Sequence, residues 1–280
     1  MKKIILFLCI IIMCSVNAHA YTYKTPERDI PVDILVNGAY IKTDAAAFIE
    51  NESTFVPIRF VSDALGADSI EWDPDTACAT IKKGVDTIVL YENRNDAYVN
   101  GKKHILSGEA KTVGGRLFVP VRFVSESFGA QVGWDEKYYN VLITKEGQQV
   151  AEHMIDRSYT NDEVFWLARI IQAESSGEPS EGKVAVGNVV LNRVKSGKFP
   201  NTIYNVIFDM RFGVQFEPVI NGRIYNNPSD ESIICAKRAL RGENLVGESL
   251  YFFNPRIASS NWISNNRRYY TTIKNHDFYL

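Results

Sequence analysis

Residues 55–67 read FVPIRFVSDALGA, and residues 118–130 read FVPVRFVSESFGA, 63 positions later. Val36-Asn37-Gly38 returns at the same offset as Val99-Asn100-Gly101, and Trp72-Asp73 returns as Trp134-Asp135 at an offset of 62. A match this long, with its flanking landmarks in the same order, marks an internal duplication. Each unit reads as a small α/β repeat. Val-Asn-Gly is a hairpin signal, because Asn-Gly tolerates positive φ. The strand that follows meets Pro57 or Pro120, which starts a short helix; Ile58, Phe60, Val61, Ala64 and Leu65 form its apolar face in the first unit. Gly66 and Gly129 stand where that helix stops. A strand carrying the tryptophan is expected next, over 70–81 and 132–143.

The chain around these units has 280 residues, 45% hydrophobic and 23% charged, a composition and length that suggest two globular domains. Lys2 and Lys3 precede an apolar run over 4–16 that is short for a bilayer span, and Ala18-His19-Ala20 fits a small-x-small cleavage site. Residues 1–20 therefore read as a secretory signal peptide, with an uncleaved anchor as the alternative. Without Lys2 and Lys3 the chain carries 29 basic and 33 acidic side chains, net −4, which is no footprint for nucleic acid. No later stretch is long and apolar enough for a membrane helix, so no membrane contact is expected after signal cleavage. Cys9 and Cys14 fall in the leader, and Cys78 and Cys235 lie far apart and are expected in different domains, so a disulfide between them is not favoured and there is no disulfide framework.

Arg59 and Arg122 invite a ligand reading, as do the two Trp-Asp pairs. The plainer expectation is that each tryptophan anchors a core and that Asp73-Pro74-Asp75 makes a turn. Over residues 30–145 the repeat resembles the copper amine oxidase N-terminal-like domain of secreted and wall-associated proteins of Gram-positive bacteria. Copper itself is not expected, because His104 is the one histidine in this region. The resemblance implies a stalk or a wall-binding module. Residues 146–160, EGQQVAEHMIDRSYT, are polar, and the boundaries expected are a first domain over 21–147, a linker over 148–160 and a second domain over 161–280.

In the second domain, Thr160 with Glu163 makes a capping box. Val164, Leu167, Ala168 and Ile171 recur at helical spacing and predict a helix over 161–174. Gly177 stops it, and Pro179 with Glu181 opens a second helix that runs through Lys195. Four glutamates crowd this break. Glu163 is explained as a cap and Glu181 by the positive helix start. Glu178, just before Pro179, either caps the second helix or belongs to a site. Glu174 lies at the negative end of its helix, where a carboxylate is disfavoured and its protonated form is promoted. A raised pKa is what a general acid needs to cleave a glycosidic bond.

Ala173-Glu174, Gly177-Glu178-Pro179, Glu181-Gly182, Val189 to Val194 and Phe199-Pro200 resemble the cell wall hydrolase family of the germination-specific spore-cortex lytic enzyme. The resemblance continues through Gln215-Phe216, Asn221 to Ile224, Leu250 to Pro255, Trp262, His276 and Phe278, and covers residues 163–280. It implies an α+β fold: a lysozyme-like catalytic domain preceded by the duplicated small α/β repeat domain. It also implies action on peptidoglycan glycan strands, with Glu174 as the catalytic acid. A lytic transglycosylase needs one carboxylate, which protonates the leaving oxygen and then takes the proton of the sugar's own C6 hydroxyl, giving a 1,6-anhydro end. Hydrolases of this bond generally use two. This chain departs from the family pattern at Ser175-Ser176, where relatives often carry Ala-Arg.

Candidate substrate-binding residues are Glu178, Gln215, Phe216, Tyr251, Asn254 and Trp262. Gln215 and Phe216 line a groove or belong to a structured loop. Tyr251, Phe252 and Phe253 alternate into a strand, one face core and the other free to stack on sugars. His276 reads as a structural histidine. No Cys/His cluster has metal-ligand spacing, so neither metal nor cofactor is expected. The whole reads as a secreted enzyme of the cell wall or spore cortex of a Gram-positive bacterium. A water-using muramidase or glucosaminidase and a non-catalytic wall-binding protein remain as alternatives.

Overall fold

The computed structural model describes residues 30–258 and 260–280; the leader read over 1–20 lies outside the described residues. The first half begins with β1 (Asp33–Val36), β2 (Ala39–Tyr40), β3 (Phe48–Glu50), β4 (Ser53–Pro57) and α1 (Ile58–Ala64). It continues with β5 (Ser69–Asp73), β6 (Cys78–Lys83), β7 (Asp86–Tyr91), β8 (Asp96–Val99) and β9 (Lys102–Ile105). Then come β10 (Lys111–Val113), β11 (Arg116–Pro120), α2 (Val121–Ser127), β12 (Gln131–Asp135) and β13 (Asn140–Thr144). The expected Asn-Gly hairpins are present: Asn37 and Gly38 have φ of 48° and 83°, and Asn100 and Gly101 of 52° and 77°, as tight two-residue loops require.

The two repeat units interlock. β4 and β11 pair antiparallel about Val56 and Val119, both fully buried, with Pro57 opposite Phe118 and Phe55 opposite Pro120. That register relates one unit to the other by an approximate two-fold. The outer sheets run in the order β12-β13-β1-β2 and β5-β6-β7-β8-β9. Each joins the hairpin after one unit's helix to the Asn-Gly hairpin of the other unit. In the first sheet β13 pairs directly and in parallel with β1; in the second, β7 intervenes between β6 and β8. Neither unit completes a sheet alone.

Two expectations are corrected here. The stretches read as single strands over 70–81 and 132–143 are hairpins. Asp73 accepts bonds from the Asp75 amide (3.0 Å) and the Thr76 hydroxyl (2.6 Å), and Asp135 from the amides of Lys137 and Tyr138, so each aspartate closes a turn midway. The tryptophans do not anchor cores. Trp72 is 45% exposed and Trp134 39%. They stand on β5 and β12, the edge strands, opposite the buried Ala79 and Val141. The helices α1 and α2 are seven residues long and bury Val61 and Val124.

The second half contains α3 (Asn161–Ser175), α4 (Ser180–Lys195), α5 (Ile203–Ile207), α6 (Glu217–Ile220), α7 (Asp230–Leu240), β14 (Tyr251–Phe253), α8 (Trp262–Asn266), β15 (Tyr269–Ile273) and β16 (His276–Tyr279). The architecture is α+β. The capping box of Thr160 and Glu163 forms as expected. α3, α4 and α7 pack against one another. Gly187 of α4 is their closest approach: a Cβ there would lie 3.0 Å from Ile171 of α3 and 3.3 Å from Ala239 of α7. The strands form a small antiparallel sheet, β14-β16-β15. No helix among the described residues is long and apolar enough to cross a membrane, and Cys78 and Cys235 are buried free thiols.

The halves meet through charge. Lys237 of α7 is fully buried, pairs with Asp33 at 2.8 Å and donates to the Asn140 side chain at 3.1 Å. Arg241 reaches the same carboxylate at 2.5 Å and the Val32 carbonyl at 2.8 Å, and Tyr159 donates to Asp33 at 2.9 Å. Residues 150–156 add to this seam, with Lys42 and Met154 bonded through their backbones and Asp156 bonded to Tyr40. Burial pushes the Asp33 carboxyl up, but Lys237 and Arg241 together hold it below its ordinary value. Removing one member of a buried ion cluster leaves uncompensated charge. Asp33→Asn should therefore lower unfolding stability by about 3 kcal/mol at pH 7, measured by chemical denaturation. Because the folded pKa is depressed, wild type loses this advantage as pH falls below the ordinary carboxylate value, and the two proteins should converge there. Equal stabilities at pH 7 would refute this.

Candidate active site

Glu174 occupies the last turn of α3, which ends at Ser175 with Ser176 as C-cap. Ser175 is buried and its hydroxyl bonds back to the Ile171 carbonyl at 2.6 Å, while Ser176 is exposed. The helix thus delivers Glu174 at its negative end, half-buried, toward α6 and the turn over Arg223–Tyr225, both of which pack on α3. Arg169 of α3 anchors that region by donating to the carbonyls of Ile224 (3.2 Å) and Asn226 (3.0 Å). Burial pushes the Glu174 carboxyl up to about 7, against the pull of Arg223 and Arg193 and with the help of Glu217. Among the described residues no donor hydrogen-bonds its carboxylate. Near neutral pH such a group holds a proton about half the time, so it can give one up and take one back.

Arg193 was not singled out from the sequence. It lies on α4 at helical spacing from Val186 and Val190, so a charge falls on the buried stripe; that misfit was the available signal. The side chain is 5% exposed. Its Nε donates to the Leu250 carbonyl at 2.8 Å, and the guanidinium lies 4.9, 5.0 and 5.7 Å from the rings of Phe199, Phe216 and Tyr251. Its Nη1 is buried with no hydrogen-bond partner among the described residues. Burial lowers its pKa to about 10, opposed by Tyr251, Glu174 and Asp209. Arg193 and Arg223 place positive charge near Glu174. Arg223 and Glu217 were also missed, because their proximity to Glu174 arises from a loop and not from any local pattern.

The expected substrate-binding residues divide. Tyr251 and Trp262 come together with ring centroids 6.5 Å apart, and Arg267 lies over both at 4.6 and 4.8 Å. Trp262 is exposed, so the pair presents an aromatic shelf beside Arg193. Gln215 is on the loop before α6 and donates to the Gly213 carbonyl at 3.1 Å. Phe216 is buried and lies under Arg193, so its ring supports the site from below and offers no face to a groove. Asn254 closes the turn after β14: its side chain accepts the Arg256 amide, and its carbonyl accepts those of Ile257 and Ala258.

Glu178 neither caps α4 nor faces outward. The cap position is Pro179 with no side-chain bond, and Glu178 is 8% exposed. Its carboxylate accepts from the Asn275 side chain at 2.8 Å and amide at 3.3 Å, tying the α3–α4 break to the β15–β16 turn. Gly182 makes this possible, since a Cβ there would sit 2.9 Å from that of Glu178. His276 is buried against Phe252, with its pKa lowered by burial in spite of Glu178 and Asp277. Among the described residues no group of three or more His, Cys, Asp or Glu side chains is arranged to hold a metal.

Two family profiles match the chain: a copper amine oxidase N-terminal domain over residues 35–143 and a cell wall hydrolase over residues 177–279. The chain is 31% identical over 127 residues to the cell wall hydrolase CwlJ of Bacillus subtilis, across 43% of its own length and 86% of that protein. It is 39% identical over 109 residues to the spore cortex-lytic enzyme of Bacillus cereus, across 39% of this chain and only 41% of that enzyme. The solved catalytic domain of the germination-specific lytic transglycosylase SleB from Bacillus anthracis is 37% identical, covered completely by 45% of this chain, with a TM-score of 0.41.

The raised carboxyl has a stability signature. With a folded pKa of about 7 against an ordinary 4.5, Glu174 costs stability as pH rises from the lower value to the higher, and the cost is constant above. Glu174→Gln should thus match wild type at pH 4 and exceed it by about 3 kcal/mol at pH 8 in thermal or denaturant unfolding. A difference that does not depend on pH would show that the carboxyl is not perturbed.

Proposed function

This chain belongs to the cell wall hydrolase family, and we propose that it degrades peptidoglycan by cleaving the β-1,4 bond between N-acetylmuramic acid and N-acetylglucosamine. The observation that carries this reading is Glu174, a half-buried carboxylic acid at a helix C-terminus with a pKa near neutrality. In the proposed reaction the Glu174 acid protonates the glycosidic oxygen as its bond to C1 breaks. The resulting carboxylate, stabilised by Arg193 and Arg223, then takes the proton of the C6 hydroxyl as that oxygen closes on C1. The product is a 1,6-anhydromuramic end, and the residue is restored to its acid form. This sequence moves one proton out and one back and needs neither metal nor cofactor.

Tyr251 and Trp262 are proposed as the stacking surface for a sugar ring, with Gln215 at the margin of the same groove. Phe216, Glu178 and Asn254 act beneath that surface by fixing Arg193, the α3–α4 break and the turn after β14. A lysozyme-like second domain over 161–280 would follow a linker over 148–160 and a wall-binding first domain over 21–147. The protein would be secreted by cleavage after Ala20 and act on the cell wall or spore cortex of a Gram-positive bacterium. The names of the relatives in Bacillus support the substrate class.

A second reading keeps the substrate and uses water. It is favoured by Glu217, a second carboxylate close enough to raise the Glu174 pKa, since hydrolases of glycosidic bonds pair two such groups. Mass spectrometry of digested peptidoglycan separates the two, because anhydro ends are lighter than reducing ends by one water, about 18 Da. Glu174→Gln should lower wall solubilisation by on the order of 1,000-fold with binding retained. Equal solubilisation would overturn either mechanism, and a wild type that binds but never cleaves would leave a wall-binding protein. Activity should be flat on the acid side and fall as pH rises through about 7, where the acid loses its proton. Arg193 favours the ionised form of Glu174, so Arg193→Gln should move that alkaline limb upward by roughly half a pH unit while lowering kcat, and Arg193→Lys should restore the limb.

A further inference from the structure

The two exposed tryptophans of the first domain each overlook a groove. One groove, of about 770 Å³, is bordered by Pro120, Arg122 and Trp134 of the second repeat unit and by Glu52, Ser53 and Thr54 of the first. The other, of about 290 Å³, is bordered by Pro57, Arg59 and Trp72 of the first unit and by Gly115, Arg116 and Leu117 of the second. These borders correspond position by position under the repeat offsets, so the interlocked fold opens a groove at the same place in both copies, the larger one extended by Ile30 and Asp230. Each has a helix start and an edge-strand tryptophan from one unit and a hairpin from the other.

A lone exposed apolar residue is ordinary. The same indole left open in both copies, at the rim of a groove that both units build, is a different observation. Arg122 is held in place at its groove by the Val132 carbonyl (3.3 Å) and by Glu126 (3.2 Å). Trp134 is braced edge-on by Tyr139 at 6.2 Å. The larger groove also reaches Asp230, the first residue of α7, so it borders the second domain.

The geometry points to these grooves as two equivalent subsites for the pyranose rings of a glycan chain, with Trp134 and Trp72 as the stacking platforms and Arg122 and Arg59 as hydrogen-bond donors to ring substituents. This rests on the wall-binding reading of the first domain and names its ligand. Charge among the described residues does not favour a phosphate polymer: in the larger groove Glu52 and Glu136 stand against Arg122, and in the smaller one Glu71 and Glu92 balance Arg59 and Arg116. Carboxylates among aromatic rings suit sugar hydroxyls, which donate as well as accept. Two like sites on one domain suit a polymer of repeating units, whose second contact forms at high effective concentration.

The test is sedimentation of the full chain with purified peptidoglycan, on ice, with secondary wall polymers either retained or stripped. Trp72→Ala and Trp134→Ala should each weaken association with stripped wall by about fivefold, and the double variant by on the order of 25-fold. Tyrosine at both positions should keep binding within about twofold of wild type, and melting temperatures should not move, because both rings lie at exposed edges. Binding of stripped wall by the double alanine variant at wild-type strength would overturn the subsites while leaving wall binding intact. Wild-type binding that disappears on stripping would assign the grooves to a phosphate polymer and overturn the glycan. Failure of the wild type to sediment with either wall would remove the wall-binding reading and this inference with it, without touching the reaction at Glu174.

Discussion

One carboxylate joins the two halves of this protein. Asp33, at the start of β1, takes both the buried ammonium of Lys237 and the guanidinium of Arg241, and Tyr159 closes the remaining side. Removing that carboxylate would leave two buried cations without their counter-charge, so Asp33 stabilises the seat of α7. α7 in turn packs on α3 and α4 across the narrow approach at Gly187. The helix that carries Glu174 is therefore positioned by a contact that begins in the repeat domain. β1 itself is held by pairing with β13 of the other repeat unit, so the interlock of the repeats reaches the candidate site through one ion cluster.

The candidate site works by a balance of opposing effects on one side chain. Burial and the nearby Glu217 favour the neutral acid, while Arg193 and Arg223 favour the carboxylate. A group held in that balance suits a reaction in which it must be acid and base in turn. Arg193 gains from the low-dielectric setting too: among the described residues no carboxylate is bonded to it, and it is held by three aromatic rings and one carbonyl, so its field acts on what lies beside it. Next to the acid along the chain stand Ser175 and Ser176, so the positive charge at Glu174 arrives from elsewhere in the fold, from Arg193 and Arg223.

Much of the local structure was legible. The Asn-Gly hairpins, the Pro-started helices, the capping box at Thr160 and the helix break around Gly177 follow from short-range rules that act within a few residues. The position of Glu174 on the last turn of α3 was legible for the same reason. The tryptophans were misread because a strand pattern shows which side a residue faces and not how far the neighbouring layer extends. Trp72 and Trp134 do face the core side, but the helices beneath them are only seven residues long. The contacts that Phe216 and Glu178 make in the fold were not legible, because the partners, Arg193 and Asn275, are 23 and 97 positions away.

By itself the sequence determined the duplication, the element types, the family and the single carboxyl whose helix position disfavours charge, because each is encoded in neighbouring residues or in motif order. Tertiary structure alone decided that the repeats exchange hairpins, that Asp33 binds the halves together, that Arg193, Arg223 and Glu217 surround Glu174, and that two indoles remain open over matching grooves. These depend on which distant segments share space and on how much solvent is left between them. Electrostatic balance and exposure are sums over all neighbours in three dimensions, and no window along the chain contains them.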